Sequence, residues 1–399
     1  MRSAALLSLL PLALAAPATR APLYTREEAI EGKYIVKVKN GASASINSAI
    51  ASIASNADHV YKNLGGFSAS LTSEEVETLR NNPDVSDFSE VEYGPETDSC
   101  PKIEYIEQDQ KATMFATQTG APWGLARLSN KEPGSSTYTY DDAAGEGTCV
   151  YVLDTGIDTE LSEFGGRASW AGDFIGTGKD DQGHGTHCAG TVGSSTYGVA
   201  KKAKLFAIKV LDFEGNGEYA QVIAGLDMIA DHAATQDCPK GVVASMSLGG
   251  PKSQAVNDAA ANVVSAGIFL AVAAGNGNRI TRLPEDVALV SPASEPSACT
   301  VGASDSQDRV ASFSNFGALL DVYAPGVGIR SLQPGGSTLD ANGTSMATPH
   351  VAGLAAYYLS IGATQAAGAC SYIVDQGLKG VISGVPSGTA NVLVQNGQA

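Results

Sequence analysis

Beyond residue 120 the chain alternates short apolar runs with longer helix-like stretches, and this alternation limits the possible folds more than any other feature. Residues 149–153, 205–210, 242–246, 268–273 and 299–301 are runs of apolar and small residues that read as buried strands. Helix-like segments lie between them, 219–234 and 256–266 among them. Strands that are apolar on every residue need cover on both faces, and strand–helix alternation supplies it. The expected architecture is α/β: a parallel sheet with helices on both faces.

The preceding part has a different rhythm. Residues 34–39 alternate with period 2, 43–57 are helix-like, and 59–71 return to strand character around Gly65 and Gly66. Thr72-Ser73-Glu74-Glu75 is a capping-box pattern opening a helix that Asn82-Pro83 should end. Strand-like pieces follow at 85–91 and 103–106. This β-α-β-β-α-β order predicts a small α+β domain of ferredoxin-like type. The polar stretch 108–120 is the expected linker, and there is no internal repeat.

At the start, Met1-Arg2 is a basic opening, 4–14 is apolar apart from Ser8 and Pro11, and Ala13-Leu14-Ala15 is a small-x-small pattern. These are the parts of a secretory signal peptide, residues 1–15, cut near Ala15 or Ala16. The apolar run is shorter than the roughly 20 residues a bilayer span needs. No later segment is long and uncharged enough, so no membrane partner is expected. With 17% charged and 43% apolar residues in a 399-residue chain, an intrinsically disordered protein is excluded. A net charge of −17 argues against nucleic acid as a partner, because phosphate contacts need clustered Lys and Arg. Six cysteines, widely spaced and without a C-x-x-C pair, argue against a zinc site and for staples on an existing core.

Four positions carry chemistry. Asp154 ends an apolar strand, where a carboxylate needs a partner or caps a helix. His184 lies in Gly183-His184-Gly185-Thr186-His187, where glycines permit close approach to the ring. His184 and His187 lack the spacing and the intervening Glu of a helical zinc motif. Ser345 lies in Gly343-Thr344-Ser345-Met346-Ala347-Thr348-Pro349, at the start of a helix whose first turn suits Pro349. There it is either an ordinary N-cap or a nucleophile beside N–H groups that favour an anion. Asn276 ends the 268–273 strand and either closes a turn or donates to an oxyanion. Together they make a nucleophile, a base, an orienting carboxylate and an oxyanion donor. Their order along the chain, Asp, His, Ser, is that of subtilisin. No G-x-S-x-G occurs, which disfavours a lipase or esterase.

Val152-Leu153-Asp154-Thr155-Gly156, the His184 motif and the Ser345 motif resemble the three signatures of subtilisin-like serine proteases. Residues 121–127, 238–245 and 294–304 narrow the resemblance to the proteinase K family, and 34–109 resemble that family's inhibitory propeptide. The resemblance implies a propeptide over 16–115 and a catalytic domain over 116–399, made as a secreted zymogen that processes itself. It implies a serine endopeptidase in which Ser345 attacks, His184 shuttles the proton, Asp154 orients the ring and Asn276 holds the oxyanion. Polypeptide substrates would pair with strands around Gly215 and Tyr219 and around Ser247, Leu248 and Gly249. A pocket walled by Gly249, Ala273, Ala274 and Gly275 implies cleavage after aromatic or aliphatic residues.

The same resemblance pairs Cys149 with Cys238 and Cys299 with Cys370, makes Cys188 a buried free thiol, and leaves Cys100 over. It implies one structural Ca2+ site from Asp321 and the carbonyls of Pro296 and Ala298, while Lys131 and Val381 cannot supply a second. A monomer with its own propeptide as inhibitor is expected. Residues 278–291 look longer than usual for the family and 87–102 look inserted. The sequon Asn342-Gly343-Thr344 is expected to be bare. The rivals are an inactive relative, a small-ester hydrolase and a Cys188–His184 cysteine protease. Each leaves part of this constellation idle.

Overall fold

The computed structural model describes residues 20–25, 29–39, 43–53, 56–81, 103–110, 115–278 and 280–398. The expected leader, the strand over 85–91, the Asn82-Pro83 stop and Cys100 lie outside them. The chain divides into two compact units, Met1–Ala112 and Thr113–Ala399.

In the first unit, the described strands run in the order Leu23–Tyr24, Ile103–Gln110, Ala29–Val38, Gly66–Ser70, Ala57–Tyr61. The helices Ser43–Ala51 and Ser73–Arg80 complete the ferredoxin-like pattern, with one short parallel strand added at the edge. Val36, Val38, Ile46, Phe67, Leu79 and Ile106 form its core. The capping box is present: Glu75 N donates to Thr72 Oγ1 (3.2 Å) and Thr72 N to Glu75 Oε2 (2.8 Å). The first helix is shorter than the expected 43–57, because the chain from Ala57 pairs as a strand with Gly66–Ser70.

The polar stretch 108–120 is not a uniform linker. Its start belongs to the strand Ile103–Gln110. Phe115–Thr119 is a second strand, antiparallel to Thr137–Asp141. Backbone pairing is indifferent to side-chain polarity, so an apolar pattern could not show it.

The second unit is built on nine strands: Leu378–Lys379, Val392–Leu393, Val322–Pro325, Cys299–Ser304, Phe269–Ala273, Gly241–Met246, Thr148–Asp154, Lys204–Lys209 and Ala168–Asp173, in that spatial order. All pairs are parallel except the Leu378–Lys379 edge. On the strand Thr148–Asp154, Val150 and Val152 enter one core with the helices His184–Gly193 and Thr344–Ile361. Cys149, Tyr151 and Leu153 enter the other, against the helices Tyr219–Ala234 and Gln254–Ser265. Period-2 side chains, apolar on both faces, thus produce helices on both faces. Thr344–Ile361 is buried almost throughout, so its apolar residues run all round it.

Disulfides join Cys149 to Cys238 and Cys299 to Cys370, across sequence separations of 89 and 71 residues. In the chain-entropy account, loops of this size make each bridge worth about 4–5 kcal/mol.

Candidate active site

Asp154 leaves the carboxyl end of the strand Thr148–Asp154 fully buried. Its Oδ1 accepts from Thr155 N (2.7 Å), and His184 Nδ1 lies 2.7 Å from Oδ1 and 2.9 Å from Oδ2. His184 opens its helix, so its ring reaches back over the strand end. Gly185 makes this approach possible: a Cβ there would lie 2.1 Å from the Gly156 carbonyl and 3.1 Å from the Asp154 Cβ.

Asp180 and Lys209, which the motifs do not include, hold this corner together with Thr155 and Thr186. Asp180 is buried and takes Thr155 Oγ1, Gly183 N and Gln182 N on Oδ1 (2.8, 2.8 and 3.2 Å). Its Oδ2 takes Thr186 N and Oγ1 (2.9 and 2.6 Å). Thr155 Oγ1 in turn accepts from Gly185 N at 2.9 Å. The fully buried Lys209 Nζ donates to the Thr155 and Leu211 carbonyls and to Asp181 Oδ1 (2.7, 2.8 and 2.8 Å). An Asp three residues before Gly183, ahead of a helix, is a capping signal that could have revealed Asp180.

Ser345 is the second residue of Thr344–Ile361, so that helix starts earlier than Pro349 suggested, and Pro349 lies inside it. A proline there cannot donate to the carbonyl four residues back. That carbonyl, of Ser345, instead accepts from Ser247 Oγ (2.8 Å) and Cys188 Sγ (3.4 Å). Ser345 Oγ donates to the Ser247 carbonyl at 3.0 Å. Among the described residues no hydrogen bond joins it to His184, although both side chains line one cavity of about 610 Å³.

Asn276 stands just past its strand, with Oδ1 fixed by Thr344 N and Oγ1 (2.8 and 3.0 Å). Its Nδ2 is thereby turned toward Ser345. A point at the Cβ position of Gly343 lies 3.5 Å from both Asn276 Nδ2 and Ser345 N. Asn276 Nδ2 and Ser345 N thus both lie close to one point at the start of the helix.

Two cavities meet at Ser345, Asn276 and 247–251. One also holds Gly215 and Tyr219. The other, about 670 Å³, holds Ala273, Gly275 and the 278–289 loop. Ala274 does not line it: its side chain packs into the core with Val287 and Val290, and its carbonyl accepts from Asn315 Nδ2.

Burial disfavours a charged His184 ring, but the Asp154 carboxylate and Cys188 outweigh it and hold the ring well above its usual value. Burial pushes the Cys188 thiol up. Apart from this site, Asp321 with Cys299 and Cys370 is the one described cluster of metal-ligating side chains. Those cysteines are bonded to each other, so thiolate ligation is excluded and only oxygen donors remain. Burial pushes Asp321 up to about 6, with only Thr300 N (2.7 Å) opposing it. No ion pair compensates it among the described residues. A half-buried carboxylate with no ion pair among the described residues fits a hard cation such as Ca2+.

A family model described as the subtilase family matches residues 145–368, and one described as peptidase inhibitor I9 matches residues 33–90. The chain is a subtilase. It is 49% identical to Proteinase R of Parengyodontium album, with 99% of each chain covered. It is 50% identical to a cuticle-degrading protease of Metarhizium anisopliae, with 100% of each covered. A crystal structure of a cold-adapted subtilisin-like serine proteinase matches with a TM-score of 0.64 at 37% identity, covering 70% of this chain and 99% of that one. This subtilase is a serine endopeptidase of the proteinase K type carrying an I9 inhibitor domain.

Proposed function

We propose that this subtilase is a secreted, self-maturing endopeptidase that cuts after aromatic or aliphatic residues. The observation that carries the reading is the bonded Asp154–His184 pair in a cleft lined also by Ser345 and Asn276. Ser345 Oγ exchanges its bond to the Ser247 carbonyl for one to His184, loses its proton to the ring and attacks the substrate carbonyl. His184 then returns the proton to the leaving amine, and Asp154 fixes the tautomer and stabilises the imidazolium. Asn276 Nδ2 and Ser345 N bind the oxyanion. An extended chain lies along 215–219 and 247–250. The side chain before the scissile bond enters the 670 Å³ cavity. Water attack on the acyl-enzyme completes the cycle. One Ca2+ at Asp321 with the Pro296 and Ala298 carbonyls stabilises the fold. The leader and the two disulfides support secretion.

Maturation removes residues up to Phe115. In the structure Phe115 pairs with Asp141, whose N–H donates to the Tyr357 hydroxyl. Tyr357 lies twelve residues past Ser345 on one helix, about 18 Å away at 1.5 Å per residue. Phe115 is therefore not at the nucleophile in this arrangement. Self-cleavage has Phe115–Thr119 in the substrate groove first and paired with Thr137–Asp141 afterwards. Ser345→Ala made in a protease-free host should accumulate as a precursor starting near Ala16, which active enzyme trims near Ala116. A variant that reaches Ala116 unaided would disprove self-processing.

A further inference from the structure

The larger cavity is not apolar throughout. The loop that follows Asn276 folds back on itself, with Arg282 N donating to the Asn278 carbonyl and Asn278 N to the Leu283 carbonyl (both 2.8 Å). Buried Asn315 fastens the loop to the sheet. Its Oδ1 accepts from Gly277 N (3.0 Å) and Glu285 N (2.9 Å), and its Nδ2 donates to the Ala274 carbonyl (2.9 Å). The Glu285 carbonyl accepts from Phe316 N at 3.2 Å. Glu285 is thus held at its backbone, and its side chain is aimed by Asn278 Nδ2, which donates to Oε2 at 3.0 Å. Glu285 lines the same cavity as Ser345, together with Leu248, Val290 and Arg282. No ion pair reaches Glu285 among the described residues, so Arg282 does not neutralise it there.

We propose that Glu285 gives this cavity a second substrate class: a lysine or arginine side chain before the scissile bond, its stem on Leu248 and Val290 and its cation on the carboxylate. This rests on reading the cavity as the pocket for that residue. Lysine and arginine divide chemically in just this way, an apolar stem and a charged head. A half-buried carboxylate with no ion pair among the described residues strengthens a charge-assisted bond beyond what water allows.

The test uses the full chain, expressed and self-matured. Quenched peptides differ only before the cleaved bond, carrying Lys, Arg, Phe or norleucine. Norleucine is a four-carbon stem like lysine's without the charge. The readout is the ratio of kcat/KM for lysine over norleucine. The ratio should fall about tenfold or more in Glu285→Gln, as expected for losing a hydrogen bond to a charged group. It should be partly kept in Glu285→Asp and should rise in Arg282→Gln. In the unaltered enzyme it should fall as salt rises from 0.05 to 0.5 M. A ratio unmoved within twofold by Glu285→Gln overturns the proposal. If that variant does not mature, a salt-independent ratio in the unaltered enzyme overturns it equally. An enzyme that cleaves after none of the apolar residues refutes instead the reading of the pocket.

Discussion

His184 shows how one residue is set by opposed forces. Its ring is largely enclosed, which favours the neutral form, yet it lies 2.7 Å from a fully buried carboxylate that favours the charged form. The carboxylate and Cys188 prevail, and the value is raised well above 6.5. Only the neutral ring can act as base, so activity is present above the raised value and lost as pH falls through it. The acid limb of kcat/KM against pH should therefore have its midpoint above the roughly 6.5 of an isolated imidazole. A midpoint near pH 5 would contradict the assigned pair. The neighbouring Cys188 is pushed the opposite way from a reactive thiol, and its Sγ is committed to the Ser345 carbonyl.

At the scale of elements, the site depends on how closely a helix start meets a strand end. Gly185→Ala would place a methyl carbon 2.1 Å from the Gly156 carbonyl, so the helix carrying His184 must lift off Asp154. Such overpacking costs about 1–3 kcal/mol or more. We expect a lower Tm by calorimetry together with a loss of activity of more than a hundredfold, larger than the stability change alone would cause. Normal activity would show that this approach is not what fixes the ring. The five apolar strands were legible because each is apolar on both faces, which periodicity registers. Ala168–Asp173, Val322–Pro325 and Val392–Leu393 were not, being short or mixed in polarity. The four candidate site residues, Asp154, His184, Asn276 and Ser345, stand in local motifs and so could be read from the sequence. Lys209 and Glu285 are held by contacts distant in sequence, which no local pattern reports, whereas most of the bonds of Asp180 are local. Ala274 was placed in the pocket wall because its neighbours are there, but a strand end sends alternate residues to opposite sides.

For the whole molecule, stability is concentrated where separate segments are tied together. Cys299–Cys370 joins the sheet to the helix Ala369–Gln376, and Asp321 lies against that bridge. A cation bound only by the folded state at a hundred times its Kd adds about 2.7 kcal/mol. For a domain of this size that is roughly 4–5 °C. Chelator should lower Tm by about that amount, and Asp321→Asn should abolish most of the chelator response while leaving the Asp154–His184 pair in place. A chelator-insensitive Tm in the unaltered protein would remove calcium from the account. The central claim is that Ser345, activated by His184, is the nucleophile of this cleft. Phenylmethylsulfonyl fluoride, followed by peptide mass mapping of the inactivated enzyme, tests it most directly. One sulfonyl adduct per molecule is expected, on Ser345, formed in step with loss of caseinolytic activity and absent from His184→Ala. An adduct on Cys188, or activity surviving full modification of Ser345, would contradict it.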